Sequence, residues 1–259
     1  VTDRPLDIVI AENLTAVRAR LARAAAASGR PPEDIRLIAV SKTFGPDAVR
    51  AAIAAGQRDF GENKVQEALP KIDAVAAGPR LDGAADAAVA DSLRWHLIGH
   101  LQSNKARKAA RPFDAIHSID SIDLLQKVDA AALEAHRRPD LLLQVDLAGE
   151  ETKFGAPEQA VRDILAAGRD LAAARIVGLM TLPPFYDDAD AARPHFRRLR
   201  QLRDTLIDDG VPPEMLRELS MGMSHDFEVA VAEGATMVRV GTAIFGLRPK
   251  PAPAAPQKP

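Results

Sequence analysis

The sequence contains no cysteine, which excludes disulfides and thiolate zinc sites and is compatible with a reducing compartment. Aromatic residues are scarce, with a single tryptophan and a single tyrosine. No basic run is interleaved with them, so a stacking platform for nucleic acid is not expected. Nor is there an apolar run of the roughly 18 residues that a bilayer span requires. The opening VTDRPLDIVIAENL carries acids early and has no signal-peptide pattern. An excess of one charge is also missing: 34 Lys and Arg balance 36 Asp and Glu, leaving a formal net charge of -2. No global field draws anions, so any anion site must be local. The expectations are a cytoplasmic protein with no nucleic-acid partner and no membrane partner.

What is present is a rhythm. Of the 259 residues 47% are hydrophobic, a composition of ordinary globular chains. An opening helical pattern, LDIVIAENLTAVRARLARAAAASG, stops at Gly29 before Arg30, Pro31 and Pro32. Short apolar strands then alternate with Ala/Leu-rich helical patterns. The strands are expected at 36–40, 58–62, 94–99, 114–119, 141–147, 175–180, 217–221 and 236–241. Eight strands alternating with helices imply a parallel sheet whose hydrophobic strands are covered on both sides. The count favours closure over a doubly wound open sheet, whose GxGxxG phosphate turn after the first strand is missing. The expected fold is α/β: a single (β/α)8 TIM barrel with an extra N-terminal helix, spanning residues 1–247. The low-complexity stretch at 74–93 is expected to be a helix end and surface loop. The proline-rich tail at 248–259 is expected to be disordered.

In such a barrel the reactive groups sit at the C-terminal ends of the strands, with phosphate held by the loops after the last two. Those ends carry Lys42, Glu62 with Asn63, His100, Ser118 with Asp120, Asp146, Thr181, Ser224, and Arg239 through Thr242. SMGMSHDFEVAVAEG leads through a glycine and a serine into a helix starting near Ser224 to Asp226, whose first N–H groups suit an anion. In RVGTAIFG, Gly241 lets a ligand approach the main chain and Thr242 adds a hydroxyl. A phosphate monoester fits this pattern; a plain N-cap and loop glycine fit it too.

Lys42 tips the balance. By the two-residue strand period it continues the face of Ile38 and Val40. An amine that loses water becomes neutral more readily, and only the neutral amine attacks an aldehyde. Facing inward across the mouth from a phosphate pocket, Lys42 is placed for a Schiff base with a phosphorylated aldehyde.

The stretches AVSKT, FGEN, WHLIGHLQSNK, IHSID, QVDLAGEETKFG, VGLMTLPP, LSMGMSHD and VRVGTAIFG, spread in order over residues 36 to 246, together resemble the pyridoxal phosphate homeostasis proteins, the YggS/PROSC-like family. The resemblance implies a barrel like the N-terminal domain of alanine racemase, with pyridoxal 5′-phosphate as cofactor on Lys42. It further implies Ser224, Gly241 and Thr242 as phosphate holders and Arg239 beside the ring nitrogen or phosphate. Asn63 and Met221 follow as further cofactor neighbours. The implied role is buffering or delivery of the cofactor to pyridoxal-phosphate-dependent apoenzymes, by a monomer.

The competing readings are a pyridoxal-phosphate-dependent amino-acid racemase and a cofactor-free lysine aldolase. Against the racemase, an arginine facing the ring nitrogen cannot protonate it, which weakens the electron sink. The only tyrosine, Tyr186, falls in PPFYDDAD, expected to be a mobile loop. No catalytic residues are therefore assigned. His96 and His100 have a spacing that suggests a metal on a helix, yet on a strand they stand roughly 13 Å apart, so no metal site is expected. Glu62 and Asp146 are expected to anchor loops, and His225 to cap its helix or lie near the phosphate. The basic runs at 104–111 and in HFRRLRQLRDTL are expected to be solvated helix faces.

Overall fold

The computed structural model describes residues 4–77, 92–147 and 154–247. Most of the 74–93 stretch and the whole 248–259 tail lie outside the described residues, and so do the expectations attached to them. Helix α1 (Leu6–Ala27) comes first, and its buried residues Ile10, Leu14, Val17, Leu21 and Ala25 recur every three or four positions, as one face of a helix requires. There follow β1 (Arg36–Val40), α2 (Pro46–Ala54), β2 (Asp59–Glu62), α3 (Val65–Ala76), β3 (Arg94–Leu97), α4 (Ala106–Ala109), β4 (Ala115–Ile119) and α5 (Ile122–Glu134). The second half contains β5 (Asp140–Asp146), the two-residue β6 (Ala156–Pro157), α6 (Glu158–Ala167), β7 (Arg175–Met180), α7 (Arg193–Asp208), β8 (Glu218–Met223), α8 (Phe227–Ala232), β9 (Met237–Val240) and α9 (Thr242–Phe245).

Strand β1 pairs with β2 on one side and β9 on the other, and β4 pairs with β5. All the pairs are parallel, so β1 to β5 and β7 to β9 close into the expected eight-stranded barrel. Strand β6, which the sequence pattern does not announce, hangs on β5 outside the ring through Val145 and Ala156.

Closure explains the composition of the strands. In β4 every residue is buried, and in β5 all but the last are. Strands covered on both faces need near-continuous apolar runs rather than alternation. The larger core lies between sheet and helices and includes Leu14, Phe60, Phe113, Phe196 and Phe227. A smaller one gathers Ile38, Leu142, Val177, Met180 and Met237 from four strands across the barrel. Each such side chain contributes about 1.5–3 kcal/mol by burial. The floor of the barrel is ionic instead: Arg94 and Arg175 reach Asp140 at 2.9 and 2.6 Å. Burial alone would raise the Asp140 carboxyl, but the two guanidinium groups hold it below its ordinary value. Since all strands run one way, their C-terminal ends collect at the opposite mouth.

Candidate functional site at the barrel mouth

Strand β1 stops at Val40, and its last ladder bond is Ser41 N to Gly61 O at 3.0 Å. The chain then turns: Phe44 N donates back to Ser41 O at 3.1 Å, leaving Lys42 and Thr43 at the centre of the turn. Lys42 therefore lies in the turn that follows β1, two residues past its end. Thr43 has φ +71°, an uncommon conformation for a β-branched residue that costs about 1–3 kcal/mol. The turn is braced from behind. Ser41 Oγ donates to Glu62 Oε1 at 2.6 Å, and Lys71 Nζ donates to Ser41 O at 2.8 Å and to Glu62 Oε1 at 2.6 Å. Ser41, Glu62 and Lys71 are all buried, so the residue before Lys42 is locked through both its main chain and its side chain. Glu62 anchors, as expected. Lys42 itself is half-buried.

The second half of the site begins at Gly222, whose φ is +89° and whose added Cβ would stand 2.6 Å from the Ala230 side chain. Only glycine permits this backbone at the end of β8, so close to α8. Beyond it, Asp226 accepts from Met223 N at 2.6 Å and fixes the bend that carries Ser224. Ser224 Oγ then accepts from the main-chain N–H of Gly241 at 3.1 Å and of Ala243 at 3.4 Å, joining the ends of β8 and β9. The N–H groups of Ser224, His225 and Thr242 have no acceptor among the described residues. Helix α9 is held in place by Asn13 Nδ2 donating to Ile244 O at 2.8 Å. These donors form a cradle of positive partial charge that suits an anion.

The cradle lies next to Lys42. A Cβ on Gly241 would sit 3.3 Å from Val40 Cβ, and the Phe44 ring packs on Phe245 with centroids 5.2 Å apart. Barrel closure pairs the first strand with the last and so brings the turn that carries Lys42 beside the cradle.

Arg239 is 3% exposed, and donates through Nη1 to Ser220 Oγ at 2.5 Å and through Nη2 to Thr181 O at 3.0 Å. Burial pushes its pKa down to about 10, with Asp226 opposing, so it remains a cation at neutral pH. Burial in turn raises the Asp226 carboxyl against the pull of Met223 N–H and Arg239. Asn63 is pressed against Gly99 so closely that a Cβ there would meet Asn63 O at 2.3 Å. Met221 is fully buried, and Thr242 is exposed at the start of α9.

Other residues find different partners. His100 stacks on Phe154 at 3.6 Å between centroids and lies 3.8 Å from Asp120, whose carboxyl is raised by burial against the pull of His100. His225 donates through Nε2 to Asp187 O at 3.0 Å. Tyr186 is fastened by a 2.8 Å hydrogen bond to His195 of α7. The arginines of α7 are paired, Arg193 and Arg197 with Glu233 at 3.0 Å and Arg198 with Glu158 at 2.8 Å. Reading the sequence weighed His96 only as a metal ligand and missed the group it belongs to. His96 bonds Asp59 and His117, each at 3.0 Å, and His117 bonds Ser220 at 2.9 Å, deep inside the barrel. Among the described residues no three His, Cys, Asp or Glu side chains group to hold a metal.

The family model of the alanine racemase N-terminal domain matches residues 13–249 of this closed parallel barrel. Among solved structures, PipY of Synechococcus elongatus with pyridoxal phosphate bound is 42% identical and superimposes with a TM-score of 0.77, covering 92% of this chain and 100% of that one. Alanine racemase of Clostridium difficile shares the fold alone, at 14% identity and a TM-score of 0.63, covering 93% of this chain and 57% of that one. The pyridoxal phosphate homeostasis protein of Pseudomonas aeruginosa is 42% identical over 245 residues, 95% of this chain and 98% of that one. That of Aquifex aeolicus is 38% identical over 237 residues, 92% and 97% of the two chains. The chain belongs to the pyridoxal phosphate homeostasis protein family.

Proposed function

We propose that this chain binds pyridoxal 5′-phosphate at the barrel mouth and serves its homeostasis, buffering the cofactor or delivering it to apoenzymes in the cytoplasm as a monomer. The observation that carries the reading is the cradle of Ser224, His225 and Thr242 N–H groups, tied together by the Ser224 bonds to Gly241 and Ala243, standing beside the braced Lys42 turn. When bound, the cofactor supplies an aldehyde carbon that a primary amine can attack. Lys42 Nζ is the amine for it, and the N–H groups of Ser224, His225 and Thr242 are donors for its phosphate. Asn63, Met221 and Arg239 complete the surroundings. The anion-cradle chemistry fits the group without any metal ligand set.

Turnover is not expected. Proton transfer at an amino-acid α-carbon needs a placed acid and base. Arg239 keeps its proton and so is no base, and the Tyr186 hydroxyl is bonded to His195 of α7 rather than to a residue of the cradle. The test is a titration of purified protein with pyridoxal phosphate, read by visible absorbance, alongside racemisation assays over an amino-acid panel. Saturable binding with negligible racemisation is the expected result. Racemisation that Lys42→Ala abolishes would make the protein an enzyme instead.

A further inference from the structure

The interior hydrogen-bonded chain can be given a direction. Arg239 can only donate, so Ser220 Oγ accepts from Nη1 at 2.5 Å and its own proton is free to go to His117 Nδ1 at 2.9 Å. His117 then carries its proton on Nε2 and donates to His96 Nδ1 at 3.0 Å. His96 in turn carries its proton on Nε2 and donates to Asp59 Oδ1 at 3.0 Å. The opposite direction would aim the His96 Nε2 lone pair at the Asp59 carboxylate, two acceptors face to face. A second proton on His96 would relieve it, and burial disfavours that proton. Arg36 Nε, 3.5 Å from Asp59 Oδ1, holds the far end at the ionic floor.

Such a chain is costly unless every member is satisfied. His96, His117 and Ser220 are each 0% exposed. What the chain does hold is the guanidinium, fixed between Ser220 Oγ and Thr181 O.

We infer that Asp59, His96, His117 and Ser220 are positioning residues: a one-way hydrogen-bond relay, donating from Arg239 down to the barrel floor, that fixes the Arg239 guanidinium under the mouth and thereby its donors toward the cofactor. The part concerning the cofactor rests on the proposed function; the relay itself does not. No residue of it touches the cofactor except through Arg239.

The test has two arms. The first is 15N NMR of histidine-labelled protein without cofactor at neutral pH. His96 and His117 are expected as neutral tautomers protonated on Nε2; protonation on Nδ1, or an imidazolium at either, would overturn the relay. The second compares wild type, Ser220→Ala and Ser220→Thr by pyridoxal phosphate titration and by the absorbance maximum of the bound cofactor. Ser220→Ala is expected to weaken binding about tenfold and shift the maximum, whereas Ser220→Thr, which keeps the hydroxyl, restores both. An alanine variant that folds and matches wild type in both would show that Ser220 positions nothing. A wild type that binds no cofactor would sink the proposed function, and the tautomer measurement would still decide the relay.

Discussion

Lys71 Nζ stands 2.6 Å from Glu62 Oε1, with the two side chains 8% and 0% exposed. A buried ion pair is weak evidence for net stability, yet removing one partner strands the other charge at a cost of about 3–5 kcal/mol. Lys71→Met is therefore expected to lower the denaturation midpoint substantially. It also frees Ser41, so cofactor affinity should fall together with stability. Equilibrium urea unfolding of the variant checks this, and an unchanged midpoint would mean that the brace behind Lys42 contributes nothing.

Ser224→Ala removes the acceptor shared by Gly241 N–H and Ala243 N–H. Affinity for pyridoxal phosphate should drop about tenfold, the scale of a hydrogen bond to a charged site. Affinity for pyridoxal, which has no phosphate, should barely change. Parallel titrations with the two vitamers read the difference; equal losses for both would place the phosphate elsewhere.

Acid stability follows from the buried imidazoles. Burial lowers His96, and lowers His117 well below the ordinary value of 6.5. Above that pH both are neutral in folded and unfolded chains alike, and the full stability is present. As pH falls below it, the unfolded chain takes up protons that the folded barrel refuses, so stability declines by as much as about 2.7 kcal/mol per pH unit. Urea midpoints measured from pH 7 to pH 5 should fall steeply; a flat profile across that window would show that the two rings accept protons in place.

Much of this fold is legible in the sequence, because buried parallel strands leave near-continuous apolar runs and the helices between them repeat at helical spacing. The strand boundaries differ from the expected ones by no more than two residues. Lys42, Ser224, Gly241 and Thr242 do stand just past the strand ends, where the strand pattern alone puts them. What the strands do to one another across space is not. Ser220 lies 103 positions from His117, and only the closed barrel brings them within bonding distance. The side-by-side placement of Lys42 and the cradle also comes from closure, which no local pattern encodes. β6 is too short to leave a periodicity.

Thr43, with φ +71°, is a local cost that the sequence hides. Thr43→Gly relieves about 1–3 kcal/mol of strain against about 0.5–1 kcal/mol of added backbone freedom in the unfolded chain. The variant should be more stable by about 1 kcal/mol and bind the cofactor less tightly, because the Lys42 turn is no longer confined. Thermal unfolding and absorbance titration test the two halves separately, and a loss of stability would mean that the turn is not strained.

The central claim is that Lys42 is the residue that takes the cofactor. Its most direct measurement is peptide mass mapping after the protein is incubated with pyridoxal phosphate and reduced with borohydride. The account predicts the added pyridoxyl-phosphate mass on the peptide containing Lys42, and its disappearance in a folded Lys42→Ala protein. Stoichiometric label on another lysine, with Lys42 unmodified, would contradict it.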